Sequence, residues 1–332
     1  MIVTLERNAD REAVKRALTS RGLAIASVAT AGDETHIVLA GFSAAVDAGE
    51  LRKIEGVRAV ATEASPHPKV DAQGPVVDVA GISVGGPSPV AMCGPCSVES
   101  EEQIHRIAAT LAAAGVAFLR GGAFKPRTSP YAFQGHGAAA LDWMTDAARA
   151  HGLRIVTEVL SERDVEIVAA HADLLQVGSR NMQNFALLKS IAKARKPALL
   201  KRAMSSTVEE WLLAGEYLLA HGASGVIFCE RGIRGFDPAT RNLLDLGAVA
   251  LLSQVHRLPV IVDPSHATGR RDLVPALSAA GLAAGAAGVM IETHDDPGRA
   301  LSDGAQAIPL AEMPDLLERL GFTPARLLRR SV

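Results

Sequence analysis

From Pro89 onward, eight short apolar runs alternate with amphipathic segments, and no other feature of the chain narrows its fold as much. The runs are 90–93, 116–119, 154–157, 174–177, 198–200, 225–228, 260–262 and 288–291. Helical periodicity fills the intervals at 100–114, 138–150, 161–170, 184–193, 207–220, 243–255 and 271–280. Strands that alternate with helices predict a parallel sheet, and eight of them predict a closed (β/α)8 TIM barrel over 89–332. A chain of 332 residues has room for a barrel of ~250 residues and something extra. The alternative is an open doubly wound sheet. That fold usually begins with a Gly-rich dinucleotide turn, and Cys93-Gly94-Pro95-Cys96-Ser97 is not one.

The first 66 residues follow another rhythm. A short apolar strand at 2–5 precedes a helix at 10–21, with Val14, Ala17 and Leu18 on one face. Strands at 23–29 and 36–40 flank the turn Ala31-Gly32-Asp33. A helix at 43–53 and a strand at 57–61 complete the order βαββαβ, that of a small ferredoxin-like domain over 1–66. Ser65-Pro66-His67-Pro68 reads as a linker. Residues 67–88 would hold that linker and a short hairpin of strands 76–79 and 82–84.

Composition excludes several function classes. A net charge of −2 gives no electrostatic case for nucleic acid. The start of the chain lacks the apolar stretch of a signal peptide, and the weakly polar run 279–291 is too short to span a bilayer. Three cysteines do not make a disulfide framework. A soluble, cytoplasmic enzyme acting on small molecules, with no membrane and no nucleic acid, is the expectation.

Polar residues cluster where the runs end: Cys96, Arg120, Glu158, Arg180, Lys201, Glu230, Arg231, Asp263, His266 and Glu292. In a barrel these positions share one mouth, where catalysis sits. Arg120, Arg180, Lys201 and Arg231 are cations, and Lys125 and Arg127 follow in the loop after the second run. So many cations repel one another unless anions lie between them, which points to substrates with several negative charges. Pairing with Glu158, Glu230 and Asp263 would absorb some of these cations. Cys96, His266, Glu292 and Asp303 form a second set, suited to one divalent metal ion of the Mn, Zn, Fe or Co type. Cys93-Gly94-Pro95-Cys96 is also a thioredoxin-type motif, but a redox domain would not be followed by eight strand–helix units. A reversible Cys93–Cys96 disulfide is a lesser expectation.

The motifs then resemble a known family. GPCSVE at 94–99, LRGGAFKPRTSPYAFQG at 119–135, TEV at 157–159, QVGSRNMQN at 176–184, LLKR at 199–202, CERGIR at 229–234, DPSHATGRRDLV at 263–274, and IETH followed by LSDGAQAI at 301–308 are similar to 3-deoxy-D-arabino-heptulosonate 7-phosphate (DAHP) synthase. The similarity is to the type I subgroup allied to 3-deoxy-octulosonate 8-phosphate synthase. It implies a metal-dependent transferase, at the first step of the shikimate pathway, that condenses phosphoenolpyruvate with erythrose 4-phosphate and releases phosphate. The resemblance assigns the metal to Cys96, His266, Glu292 and Asp303. It assigns phosphoenolpyruvate to Arg120, Lys125, Arg180, Lys201 and Arg231 with the Ser179 backbone, and the erythrose phosphate to Arg127 and Thr128. Asp263 joins the substrate-binding set; Lys125, Cys96 and His266 are the expected catalytic residues. The sister enzyme, which uses arabinose 5-phosphate, is the alternative. It typically carries Lys-Ala-Asn-Arg-Ser where this chain has Lys125-Pro126-Arg127-Thr128-Ser129. The resemblance further implies a homotetramer, and an N-terminal domain that senses an aromatic amino acid, tyrosine or phenylalanine.

Overall fold

The computed structural model describes residues 1–41, 44, 46–125 and 129–322. The chain divides into two compact units, Met1–Pro66 and His67–Val332.

In the first unit, β1 (Ile2–Leu5), β2 (Ile25–Ala31), β3 (Glu34–Leu39) and β4 (Val57–Ala61) form one antiparallel sheet in the order β2-β3-β1-β4. Helix α1 (Arg11–Thr19) starts at Asp10, whose carboxylate accepts from the Glu12 and Ala13 N–H groups at 3.0 Å. Val14 and Leu18 of α1 and Leu51 of α2 (Ala48–Arg52) bury against Val3, Ile37 and Val60 of the sheet. Strand β2 runs two residues further than 23–29, because Ala31 pairs with Glu34 and the turn shrinks to Gly32-Asp33.

The second unit opens with α3 (Pro68–Gln73) and the hairpin β5 (Val77–Val79) and β6 (Ile82–Val84). The barrel strands follow: β7 (Val90–Gly94), β8 (Phe118–Arg120), β9 (Arg154–Glu158), β10 (Leu174–Val177), β11 (Ala198–Lys201), β12 (Val226–Glu230), β13 (Val260–Val262) and β14 (Gly288–His294). All pair in parallel, and β14 closes the ring by pairing with both β7 and β13. The closed ring excludes an open doubly wound sheet.

Side chains sort by the two-residue period of each strand. Met92, Phe118, Val156, Leu174, Leu199, Ile227, Ile261 and Met290 pack together inside the barrel with Val77, Val79 and Val84 of the hairpin. The hairpin therefore belongs to the barrel core. The alternate residues, among them Ala91, Cys93, Leu119, Leu175, Leu200 and Phe228, meet the surrounding helices, the first of which are α4 (Glu101–Ala113), α5 (Ala138–His151), α6 (Val165–His171) and α7 (Phe185–Lys193). Trp211 of α8 (Val208–Ala220) is fully buried in that layer, and its Nε1 donates to the Leu200 carbonyl at 3.0 Å. Its helix starts with a reciprocal cap between Thr207 and Glu210.

Several strands extend further than the apolar runs suggest. Arg120, Glu158, Lys201 and Glu230 are the last residues of their strands, and Glu292 lies inside β14, paired with Gly94. The ladder accepts charged residues there because most of them find partners at the mouth. The helix expected at 243–255 is instead α9 (Leu246–Ala250), capped by Asp245, followed by a π-helical turn, Leu251–Val255. Among the described residues, no helix is long and apolar enough to cross a membrane.

Candidate active site

The mouth is built by close backbone approach. A Cβ on Gly94 would lie 1.9 Å from the Arg120 carbonyl oxygen, so only glycine lets β7 lie against β8 and bring Cys96 to His266, Glu292 and Asp303. Beyond β13, Asp263 caps the short helix α10 (Pro264–Thr268): its Oδ1 accepts from the His266 N–H at 3.0 Å. Its Oδ2 accepts from His266 Nδ1 at 2.7 Å and from Lys201 Nζ at 2.5 Å. With Nδ1 donating to Asp263, Nε2 turns inward, 3.0 Å from Glu292 Oε1. Glu292 Oε1 also accepts from Arg120 NH1 at 3.0 Å, and Gln306 Nε2 donates to its other oxygen.

Asp303 reaches the same place from the loop between β14 and β15 (Ile308–Pro309). Its backbone is left-handed, φ +51°, a conformation aspartate adopts more readily than most residues. The loop is fastened by a buried Ser97–Ser302 hydroxyl contact of 2.5 Å and by the Gln306 N–H, which donates to the Asp303 carbonyl at 3.2 Å. The Cys96 thiol donates to Asp303 Oδ2 at 3.1 Å, and Lys125 Nζ lies 2.9 Å from the sulfur and 2.8 Å from the Cys96 carbonyl oxygen. One donor atom from each of Cys96, His266, Glu292 and Asp303 thus lies within 4.8 Å of the others. A sulfur, an imidazole nitrogen and two carboxylates at this spacing, with a carboxylate behind the imidazole, fit a borderline divalent cation.

Electrostatics follow from this burial. Burial works against charge on Asp263 and Glu292, yet the His266 cation, with Lys201 for one and Arg120 for the other, holds both well below the usual carboxylate range. Burial also opposes a charged His266, but the two carboxylates outweigh it and raise the imidazole to about 9. Glu230 is pushed up by burial despite its contact with Arg202.

Above these groups lies a cavity of about 460 Å³, lined by Arg120, Lys125, Ser179, Arg180, Lys201, Arg231, His266 and Asp303 among others. Asp263 and Glu292 are fully buried and bond to the lining residues Lys201 and Arg120, while Arg127 and Thr128 lie outside the described residues. Internal pairing takes Lys201 to Asp263 and Arg120 to Glu292. Glu230 pairs with Arg202, which also meets Asp245 at 2.9 Å, and Glu158 meets Gln176. Arg231 NH1 is buried without a hydrogen-bond partner, which leaves a donor for an anion. Cys93 and Cys96 are both free thiols. Cys93 lies in the strand–helix layer, where burial pushes it up to about 12, far from the thiolate that exchange requires.

Sequence reasoning left out Arg202, Gln306 and Arg241. Arg202 and Gln306 stand inside the motifs LLKR and LSDGAQAI, but spacing gives no sign that one feeds Glu230 and the other Glu292.

A closed barrel whose mouth joins a cation-lined cavity to four residues that could hold a metal ion is a (β/α)8 enzyme site. The model of the DAHP synthetase I family matches residues 58–322, and the chain belongs to that family. It is 39% identical to a phospho-2-dehydro-3-deoxyheptonate aldolase of Thermotoga maritima over 96% of each chain. A crystal structure of that Thermotoga maritima synthase superposes with a TM-score of 0.76, again over 96% of each chain, at 38% identity. A 2-dehydro-3-deoxyphosphooctonate aldolase of Methylibium petroleiphilum is 32% identical over 68% of this chain and 87% of its own length.

Proposed function

We propose that the protein condenses phosphoenolpyruvate with erythrose 4-phosphate and water to give 3-deoxy-D-arabino-heptulosonate 7-phosphate and phosphate. The observation that carries this reading is the convergence of Cys96, His266, Glu292 and Asp303 within 4.8 Å at the edge of a cavity lined by cations. The near full-length similarity to the Thermotoga maritima enzyme supports the heptulosonate reading over the octulosonate one, whose relative matches over a smaller share of the chain.

A divalent ion of the Mn, Zn, Fe or Co type, when held by the four donors, supplies Lewis-acid polarisation of the aldehyde carbonyl. The chain's own residues do the rest. Arg120, Arg180, Lys201 and Arg231, with the Ser179 N–H, hold the carboxylate and phosphate of phosphoenolpyruvate, and Arg127 and Thr128 hold the erythrose phosphate. Arg120 and Lys201 are oriented by Glu292 and Asp263 and reach the cavity already fixed. The methylene carbon of phosphoenolpyruvate attacks the aldehyde carbon. The neighbouring enol carbon becomes electron-poor and takes up water, and the resulting hemiketal phosphate expels phosphate. Lys125 delivers a proton to the oxygen of the former aldehyde, directly or through water. Cations close to both anions offset their mutual repulsion.

Phosphate release tests the substrate. Erythrose 4-phosphate should support turnover at least tenfold faster than arabinose 5-phosphate. Preference for arabinose 5-phosphate overturns the heptulosonate reading.

The sheet order β2-β3-β1-β4 with its two helices supports a ferredoxin-like reading of the first unit and a regulatory role for it. Removing residues 1–66 should leave condensation in place and abolish inhibition by tyrosine or phenylalanine. Unchanged inhibition in steady-state assays would refute that role. A solved truncated form of the Thermotoga maritima synthase covers 75% of this chain, which is consistent with a barrel that folds alone. A cytoplasmic homotetramer completes the reading.

A further inference from the structure

One cation of the mouth has no place in the residue roles above. Arg241 lines the same cavity as Arg180, Lys201 and Arg231. It follows Thr240 in the segment between β12 and α9, and its backbone is pinned: the Arg241 N–H donates to the Thr268 carbonyl at 3.0 Å and the Asn242 N–H to the Ala267 carbonyl at 2.9 Å. These bonds fasten it to the segment that carries His266. Its guanidinium rests on Gly269, where a Cβ would stand 2.9 Å from Nε and 3.0 Å from Cζ. Gly269 has φ +66° and leaves open the space that the planar group occupies.

The charge of Arg241 is poorly answered within the protein. Among the described residues, the carboxylate within ion-pair reach is Asp303, at 3.9 Å, and both side chains are about a third or more exposed. Such a pair contributes little. Nearby, Arg231 carries a buried NH1 with no hydrogen-bond partner; burial first, and then the Arg241 charge, push its pKa down. Two guanidinium groups that face one cavity and repel each other are stabilised by an anion with several oxygens.

We propose that Arg241 is a phosphate-binding residue of the cavity and takes a phosphate monoester in its planar fork. The proposal rests on the function proposed above and adds to it a residue that sets the affinity for one of its two phosphate-bearing substrates. Phosphoenolpyruvate and the aldose phosphate share this chemistry, and kinetics separate them.

The experiment uses the full-length, metal-loaded protein and the variants Arg241→Gln and Arg241→Lys. Binding of inorganic phosphate is measured by calorimetry, and KM is measured for each substrate. One charge-assisted fork lost should weaken phosphate binding by roughly ten- to a hundredfold in Arg241→Gln. The KM of one substrate should rise by a similar factor while the other stays near its original value, and the substrate that responds identifies the phosphate held. Arg241→Lys should recover part of the loss. Unchanged phosphate affinity, or equal rises in both KM values, overturns the proposal. Absence of turnover by the unaltered protein with either aldose phosphate would instead defeat the functional reading, and phosphate calorimetry would still decide the role of Arg241.

Discussion

Lys125→Met is expected to lower kcat by roughly 10²- to 10⁴-fold, the span typical of a lost proton donor, while phosphoenolpyruvate binding weakens far less. The ammonium lies 2.9 Å from Cys96 Sγ and 2.8 Å from the Cys96 carbonyl oxygen, at the edge of the donor set where the new hydroxyl of the product would form. Arg120, Arg180, Lys201 and Arg231 remain to hold the anion, so binding should survive. Methionine keeps the length of the stem at a half-buried position and removes only the charge and the protons. Single-turnover kinetics with both substrates give the answer. Near-normal turnover removes Lys125 from the chemistry.

Cys96→Ala is expected to have the other large effect: weaker divalent metal binding by at least about 10- to 100-fold, the loss usual for an outer-shell partner alone. Activity should fall with it and return only in part at high metal concentration. The sulfur is the soft donor of the set and lies 3.1 Å from Asp303 Oδ2, so alanine leaves one nitrogen and two carboxylates. The Lys125 contact to the residue 96 carbonyl belongs to the backbone and should persist. Chelation of the unaltered protein should abolish turnover, and Mn²⁺, Zn²⁺, Fe²⁺ or Co²⁺ should restore it. Titration of Co²⁺ followed by its thiolate absorption reads the same site without turnover. An unaltered metal affinity in Cys96→Ala would take the sulfur out of the site.

Both predictions concern residues whose types are visible in the sequence but whose neighbours are not. Cys96 and Asp303 stand 207 positions apart, and nothing local announces that they meet. The cations of the mouth are legible because each follows or ends an apolar run. Their partners are a different matter. Glu158 and Glu230 look like suitable counter-ions for the ring, yet Glu158 meets Gln176 and Glu230 is taken by Arg202. Gln306 is equally opaque: a single amide in a Gly- and Ala-rich loop turns out to hold the second oxygen of Glu292.

By itself the sequence determined the types and order of most elements, though not helix α3, together with the closed eight-strand barrel and the polar residues placed at the ends of its strands. Those follow from the periodicity of apolar residues, a local property that survives without knowledge of contacts. Only the tertiary structure decided which acids neutralise which bases, that the hairpin Val77–Val84 joins the barrel core, and that Arg231 and Arg241 keep charge available at the cavity. Ion pairing depends on distances of a few ångströms between side chains far apart in sequence, and closure of the ring by β14 against β7 and β13 sets those distances.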